Sequence, residues 1–154
     1  MDDLLTADHV LLDVDAATCD DVFRAVAQAA QAAGVTDSAD ALLAGFQQRE
    51  SEVTTGLMDG FAIPHTKTDA AKRAALYYVR CIRPLDWETM DGQPVTNVFA
   101  LIAPESDQNN THLSMLSALA SCLLEDEFKS AVSQSGTADE LVSLISEHIK
   151  KECE

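Results

Sequence analysis

Gly56-Leu57-Met58-Asp59-Gly60-Phe61-Ala62-Ile63-Pro64-His65-Thr66-Lys67 is the stretch on which the reading of this chain turns. The apolar run Phe61 to Ile63 lies between Gly60 and Pro64, and a histidine follows the proline directly. A short apolar run bounded by turn-forming residues reads as a buried strand. Proline brings no N–H to a sheet ladder and holds its own φ near about −65°. Pro64 is therefore expected to end the strand and to fix the direction in which His65 leaves it. Chemistry alone leaves two readings of that imidazole open: a partly exposed, hydrogen-bonded loop side chain, or a reactive group presented rigidly at a sheet edge.

Outward from this stretch, alternation of Val10, Leu12 and Val14 with Leu11 and Asp13 suggests a short strand with one face well buried. Thr18 with Asp21 three residues on has the form of a helix N-cap. The helix it opens carries Val22, Phe23, Val26, Ala27 and Ala30 on one side and should stop at Gly34. A second helix is expected from about Ser38 to Glu50, capped by Asp37, with Leu42, Leu43 and Phe46 as its stripe and Arg49 at its C-terminal end.

Beyond His65, residues 74–82 are rich in Leu, Tyr and Val and form a strand expected to end before Pro84. Trp87 is read as a cover for the core edge, and Asp91-Gly92-Gln93-Pro94 as a turn. Val95, Val98, Phe99, Leu101 and Ile102 make a nearly continuous apolar strand, so a central one, that stops at Pro104. After the polar loop Glu105 to Asn110, Thr111 is expected to cap a helix with Leu113, Leu116, Ala120 and Leu123 buried and His112 in its first turn. The positive end of the helix dipole would keep that ring neutral. Helices over 126–133 and 138–151 close the chain, the second capped by Thr137 and striped with Leu141, Leu144, Ile145 and Ile149. His148 is expected at the surface near that helix's end, and nothing marks His9 out. Strands and helices mixed without strict alternation predict an α/β fold: one mixed central β-sheet flanked by helices on both sides (α/β/α) in a single compact domain, 1–154.

Composition narrows the chemistry. Ten Lys and Arg stand against 26 Asp and Glu, a net charge of −16. Phosphate backbones demand a basic footprint, so nucleic acid is not an expected partner. Met1-Asp2-Asp3-Leu4-Leu5 lacks the basic region and apolar core of a signal peptide, and no apolar run approaches membrane-spanning length, so no direct membrane insertion is expected. Cys19, Cys81, Cys122 and Cys153 are far apart in sequence, as suits reduced thiols in a cytoplasm.

The spaced run Arg49-Glu50-x-x-x-Thr54-Thr55-Gly56-x-x-x-Gly60-x-Ala62-Ile63-Pro64-His65, followed by Asp91-Gly92-Gln93-Pro94-Val95 and Thr111-His112-Leu113, resembles the fructose/mannitol-type enzyme IIA domains of the bacterial phosphoenolpyruvate-dependent sugar phosphotransferase system. The resemblance runs over nearly the whole chain. Met58 stands where many relatives carry a third glycine, which questions the local turn geometry more than the function.

The resemblance implies a cytoplasmic phosphoryl carrier. His65 would accept phosphate, as a tele-phosphohistidine, from the histidine-containing phosphocarrier protein and pass it to a cysteine of a IIB domain, with a membrane IIC acting indirectly. The sugar would meet only the membrane component. A neutral imidazole carries an available lone pair, so neither a metal nor another cofactor is called for. Charge spread over the equatorial oxygens needs donors. The expected ones are Arg49, His112, Thr54 and Thr55, with backbone N–H groups after His65; Lys67 could steer an incoming phosphate, and Thr66 offers a hydroxyl. Two competing readings remain: a regulatory relative, of the nitrogen-phosphotransferase type, that binds targets according to its phosphorylation state, and a metal site built from His65, His112 and a carboxylate. The metal site lacks the close ligand spacing of common zinc motifs.

Overall fold

The structure is a computed structural model that describes residues 4–107 and 110–153, with the backbone alone for Thr111. Met1–Asp3, within the stretch read above for a leader, and part of the polar loop before Thr111 lie outside the described residues.

Five strands and five α-helices make up the described chain: β1 (Val10–Val14), α1 (Cys19–Ala32), α2 (Ala39–Glu52), β2 (Phe61–Ala62), β3 (His65–Thr68), β4 (Ala75–Leu85), β5 (Val95–Pro104), α3 (Thr111–Cys122), α4 (Asp126–Gln134) and α5 (Ala138–Cys153). The sheet is mixed: β1 runs parallel to β4, β4 antiparallel to β5, and both β2 and β3 parallel to β5. Strand β5 is buried along nearly its whole length, as its continuous apolar run predicts.

Alternation along the strands assigns the faces. Tyr77, Val79, Val98, Ala100 and Ile102 pack with α1 and α2, whereas Leu76, Tyr78, Phe99 and Leu101 pack with α3, α4 and α5. The sheet is thus covered on both sides, and the α/β/α layering expected from the sequence is what forms.

Helix α1 begins as read, with Thr18 and Asp21 in a reciprocal capping box and all five anticipated side chains buried. Four other local readings are corrected. Strand β1 is only half-buried and packs on both sides: Asp13, at φ 57°, bulges the strand, so Leu11 and Val14 join the α1/α2 side while Val10 and Leu12 join the other. Ser38, not Asp37, caps α2, and Asp37 pairs with Lys72 at 2.6 Å. Strand β4 continues through Pro84 to Leu85, because the proline falls in the register shift between Arg80 and Leu85, where no ladder N–H is needed. Asn110, at φ 53°, takes the N-cap position of helix α3 without a side-chain capping bond, and Thr111 is the first helical residue. Its buried face is Met115, Ala118, Leu119, Cys122 and Leu123, leaving Leu113 at 66% exposure and Ala120 outside.

Two histidines differ from expectation. His9 is buried, its Nδ1 at 2.9 Å from the Leu4 carbonyl and 3.1 Å from that of Leu76, with its ring stacked on Tyr77. His148 is half-buried against Phe128, ring centroids 4.9 Å apart, with Nδ1 donating back to the Leu144 carbonyl.

The stretch from Gly56 to Lys67 forms a hairpin and then the sheet edge. Asp59 and Gly60 both lie at positive φ (59° and 86°), and Phe61 N–H donates to the Met58 carbonyl at 3.2 Å, the arrangement that Asp-Gly favours at a two-residue turn. Met58 itself is not at positive φ, so no glycine is required there. Gly56 then bridges to Ala62 in antiparallel fashion. Pro64 interrupts this edge without ending it: Ala62 pairs with Val98 and His65 with Leu101, the same three-residue step on both strands, and Leu101 N–H donates to the Pro64 carbonyl at 3.0 Å. His65 accordingly opens β3 instead of a loop.

Candidate active site

Continuity of register decides where His65 points. It shares parity with Phe61 and Ile63, which belong to the face covered by α3, and its ring meets that of His112 with centroids 5.4 Å apart. Thr66 points the other way, onto α2. There a Cβ on Gly45 would come within 2.8 Å of Thr66 Oγ1, so the absence of a side chain at Gly45 lets α2 approach the edge strand. Helices from opposite layers therefore meet over β3.

Between them lies an open depression of about 520 Å³, lined by Arg49 and Glu52 from α2, by His65 and Lys67, and by Glu105 and His112. Arg49 sits in the last turn of α2, where a cation complements the helix dipole, and its Nη1 donates to the Val53 carbonyl at 2.9 Å. That contact uses one of five guanidinium N–H groups.

The His65 ring has a defined tautomer. Nδ1 lies 2.8 Å from the Ile63 carbonyl, and a carbonyl can only accept, so Nδ1 carries the proton and Nε2 of the neutral ring carries the lone pair. Burial pushes the His65 pKa below the ordinary imidazole value; the Arg49 charge adds to that lowering, while the Ile63 bond and Glu50 oppose it. His112 is lowered too, first by burial and then by His65 and Lys67, with Asp107 opposing. Neutrality of His112 was expected from the helix end; its burial and its neighbours account for it. Its backbone N–H donates to Asp107 at 2.8 Å, and its Nε2 is buried without a hydrogen-bond partner.

Of the residues singled out from the sequence, His65, Arg49, His112 and Lys67 gather here, and the buried Thr66 lines the α2 side of the depression. Thr54 and Thr55 do not line the depression. Thr55 Oγ1 donates to Glu50 Oε1 at 2.6 Å, and Thr54 Oγ1 lies 2.5 Å from the Glu88 carbonyl and 3.1 Å from Glu50 Oε2. Trp87, which covers the core edge as read, also donates its indole N–H to Glu50 at 3.1 Å. The motif gives Glu50 no role of its own; the signal it carries is a carboxylate in the last turn of a helix, where the dipole disfavours it. Among the described residues, no three His, Cys, Asp or Glu side chains gather as a metal site, and no helix is long and apolar enough to cross a membrane.

The profile of the family described as "Phosphoenolpyruvate-dependent sugar phosphotransferase system, EIIA 2" matches residues 3–148. The chain belongs to this family. The PTS system fructose-specific EIIABC component of Bacillus subtilis is 31% identical to this EIIA chain over 148 residues, 96% of the chain and 23% of that protein. The PTS system fructose-specific EIIA component of Haloferax volcanii is 30% identical over 118 residues, 77% of the chain and 76% of that protein. The EIIA chain thus spans less than a quarter of the length of two of the curated relatives it matches. Among solved structures, nitrogen regulatory protein IIA-Ntr from Neisseria meningitidis superposes with a TM-score of 0.85 at 25% identity, over 92% of this EIIA chain and 96% of that one. Phosphotransfer is the chemistry that membership implies.

Proposed function

We propose that the chain, taken as one EIIA domain over 1–154, is the cytoplasmic phosphoryl carrier of a sugar phosphotransferase system and that His65 Nε2 is the atom that carries the phosphate. The observation that supports this reading is the Nδ1–H bond from His65 to the Ile63 carbonyl, which leaves Nε2 as the lone-pair nitrogen of a ring that lines an open depression. In the transfer, the Nε2 lone pair forms a bond to phosphorus as the P–N bond of the phosphohistidine donor breaks and its electron pair returns to the donor imidazole. In the onward step a cysteine thiolate of a IIB domain takes the phosphoryl group, and His65 leaves as a neutral imidazole.

The transition state asks for in-line positioning and for charge on three equatorial oxygens to be met by fixed donors. Arg49 supplies a tethered cation, His112 supplies its buried and otherwise unpartnered Nε2 when that nitrogen carries the ring proton, and Lys67 supplies a second cation. Thr54 and Thr55 act at one remove, through the loop they hold. With a pKa below the ordinary value, His65 is in its nucleophilic form throughout the neutral range.

Reconstitution with phosphoenolpyruvate, enzyme I and the histidine-containing phosphocarrier protein, read by intact mass, tests the reading. The wild type gains one phosphate that acid removes and alkali spares, and His65→Ala gains none. Stoichiometric histidine phosphorylation of the His65→Ala variant overturns it.

A second reading has its own support in the likeness to the Neisseria nitrogen regulatory protein at 25% identity. In that reading the same His65 is phosphorylated and the product is a phosphorylation-dependent complex with a target protein. Transfer to a purified IIB domain favours the carrier; stable phosphohistidine with no IIB acceptor, and a target captured from one phosphorylation state alone, favours the regulator.

A further inference from the structure

We infer that Glu50 is a positioning residue for His65, acting through the loop 54–56 to hold the histidine in the tautomer that leaves Nε2 reactive. The inference rests on the assignment of His65 as the phosphoryl acceptor.

Arg49 and Glu50 are neighbours at the end of α2, yet they serve opposite sides of it. Arg49 faces the depression, whereas Glu50 turns toward Trp87 and the loop. Its Oε2 accepts from Thr55 N–H at 2.8 Å and from the Trp87 indole N–H at 3.1 Å, and its Oε1 accepts from the Thr55 hydroxyl at 2.6 Å. Thr55 and Trp87 are both buried, so these donors have no ready alternative in water.

Thr55, pinned at both its N–H and its hydroxyl, presents its carbonyl to Ile63 N–H at 3.0 Å. The Ile63 carbonyl, at the far end of the same residue, accepts from His65 Nδ1 at 2.8 Å. Pro64 between them has little backbone freedom, and its own carbonyl is held by Leu101 from the opposite side. A rigid path of bonds therefore runs Glu50, Thr55, Ile63, His65. If the Thr55 anchor loosens, Ile63 loses the acceptor of its N–H, the aim of its carbonyl at His65 Nδ1 is no longer fixed from that side, and the proton can move to Nε2, where it blocks the attacking lone pair.

Geometry and charge can be separated by substitution. In Glu50→Gln the amide oxygen can take the place of Oε2, and the NH2 group can donate to the Thr55 hydroxyl, which accepts as well as donates. Every link is kept and the charge is lost. Glu50→Met keeps the length of the side chain and removes both carboxylate oxygens, leaving only a weakly accepting thioether.

The test is the ¹⁵N spectrum of the His65 imidazole at pH 7.5, which reports the tautomer directly, together with the rate of phosphorylation by the phosphocarrier and the circular dichroism of each variant. Glu50→Gln is expected to keep the Nδ1–H signature and a rate within about threefold of wild type. Glu50→Met is expected to show mixed tautomers and transfer slowed about 10- to 100-fold, the range that loss of reacting geometry produces. Should Glu50→Met fail to fold, Thr55→Val, which removes one bond of the path, decides: a shift of the His65 signals toward mixed tautomers supports the path. Unchanged tautomer and rate in whichever of Glu50→Met and Thr55→Val folds overturn the proposal, as does a Glu50→Gln variant that behaves like Glu50→Met. A wild type that takes no phosphate on His65 would sink the functional reading while leaving the tautomer measurement valid, so the two failures are distinguishable.

Discussion

Gly56→Ala tests the loop on which His65 depends. Gly56 is not at positive φ, so its need for glycine is one of space: an added Cβ would lie 2.2 Å from the Glu88 carbonyl oxygen and 2.7 Å from Thr89 Cγ2. Both distances are about 1 Å or more short of ordinary van der Waals separation, and the nearer obstacle is backbone that cannot rotate aside. The loop must therefore move by about 1 Å, which stretches the 2.5 Å contact between Thr54 Oγ1 and the Glu88 carbonyl to the limit of a hydrogen bond. Overpacking of this kind costs about 1–3 kcal/mol, and each weakened hydrogen bond adds about 1 kcal/mol. Together they give a destabilisation of about 3 kcal/mol, equivalent to a fall in Tm of roughly 6–12 °C for a chain of this size. Gly136→Ala provides the control, because nothing lies within 4 Å of an added Cβ there. Thermal unfolding followed by circular dichroism reads both. A Gly56→Ala variant whose Tm falls by no more than that of Gly136→Ala would refute the reasoning, since the packing of loop 54–56 against residues 88–89 would then be too loose to carry any positioning role.

His112→Ala should slow phosphorylation of His65 by about 10²–10³-fold, the usual cost of one charge-stabilising donor, while leaving the stoichiometry at one phosphate; single-turnover kinetics and end-point mass read the two separately. Stability should fall as pH drops below neutrality. His9, His65 and His112 all have folded pKa values below the ordinary 6.5, chiefly from burial, so the unfolded chain takes up protons first as pH drops through that value. For the fully buried His9 the loss is up to about 1.4 kcal/mol per pH unit between its two pKa values. Urea midpoints at pH 7.5, 6.5 and 5.5 check the sign, and a midpoint that rises on acidification contradicts it. Lys129 is buried and its ammonium pairs with Asp59 in the hairpin turn and with Asp126 at 3.5 Å, so Asp59→Asn should destabilise by about 1–3 kcal/mol by leaving that charge short of its partner; denaturant unfolding measures it.

What could be read from the sequence was what local chemistry determines. The capping box of Thr18 with Asp21, the Thr137 cap with its bond to Glu140, and the unbroken apolar run of β5 each follow from residues a few positions apart. The buried face of α3 did not follow, because leucines and alanines stand on several of its sides and only the approach of α5 and the sheet chooses Met115, Leu119 and Cys122 over Leu113. Proline cannot donate, which from sequence marks Pro64 and Pro84 as strand ends; at an edge and at a register shift the donor is not needed. The Asp-Gly pair at Asp59 and Gly60 implies a hairpin, which the expectation of a single strand over 61–63 does not contain. His65, Arg49 and His112 could be grouped from the motif alone. The destination of Thr54 and Thr55 could not, since it depends on Glu50 and Trp87 meeting across 37 residues of chain.

The most direct test of the mechanism is the position of the phosphate on the ring. Chain labelled with ¹⁵N in its histidines and phosphorylated through the phosphocarrier should give one phosphorus–nitrogen coupling, to Nε2 of His65, with Nδ1 still protonated and bonded to the Ile63 carbonyl. Phosphate found on Nδ1 of His65, or on His112, would contradict it.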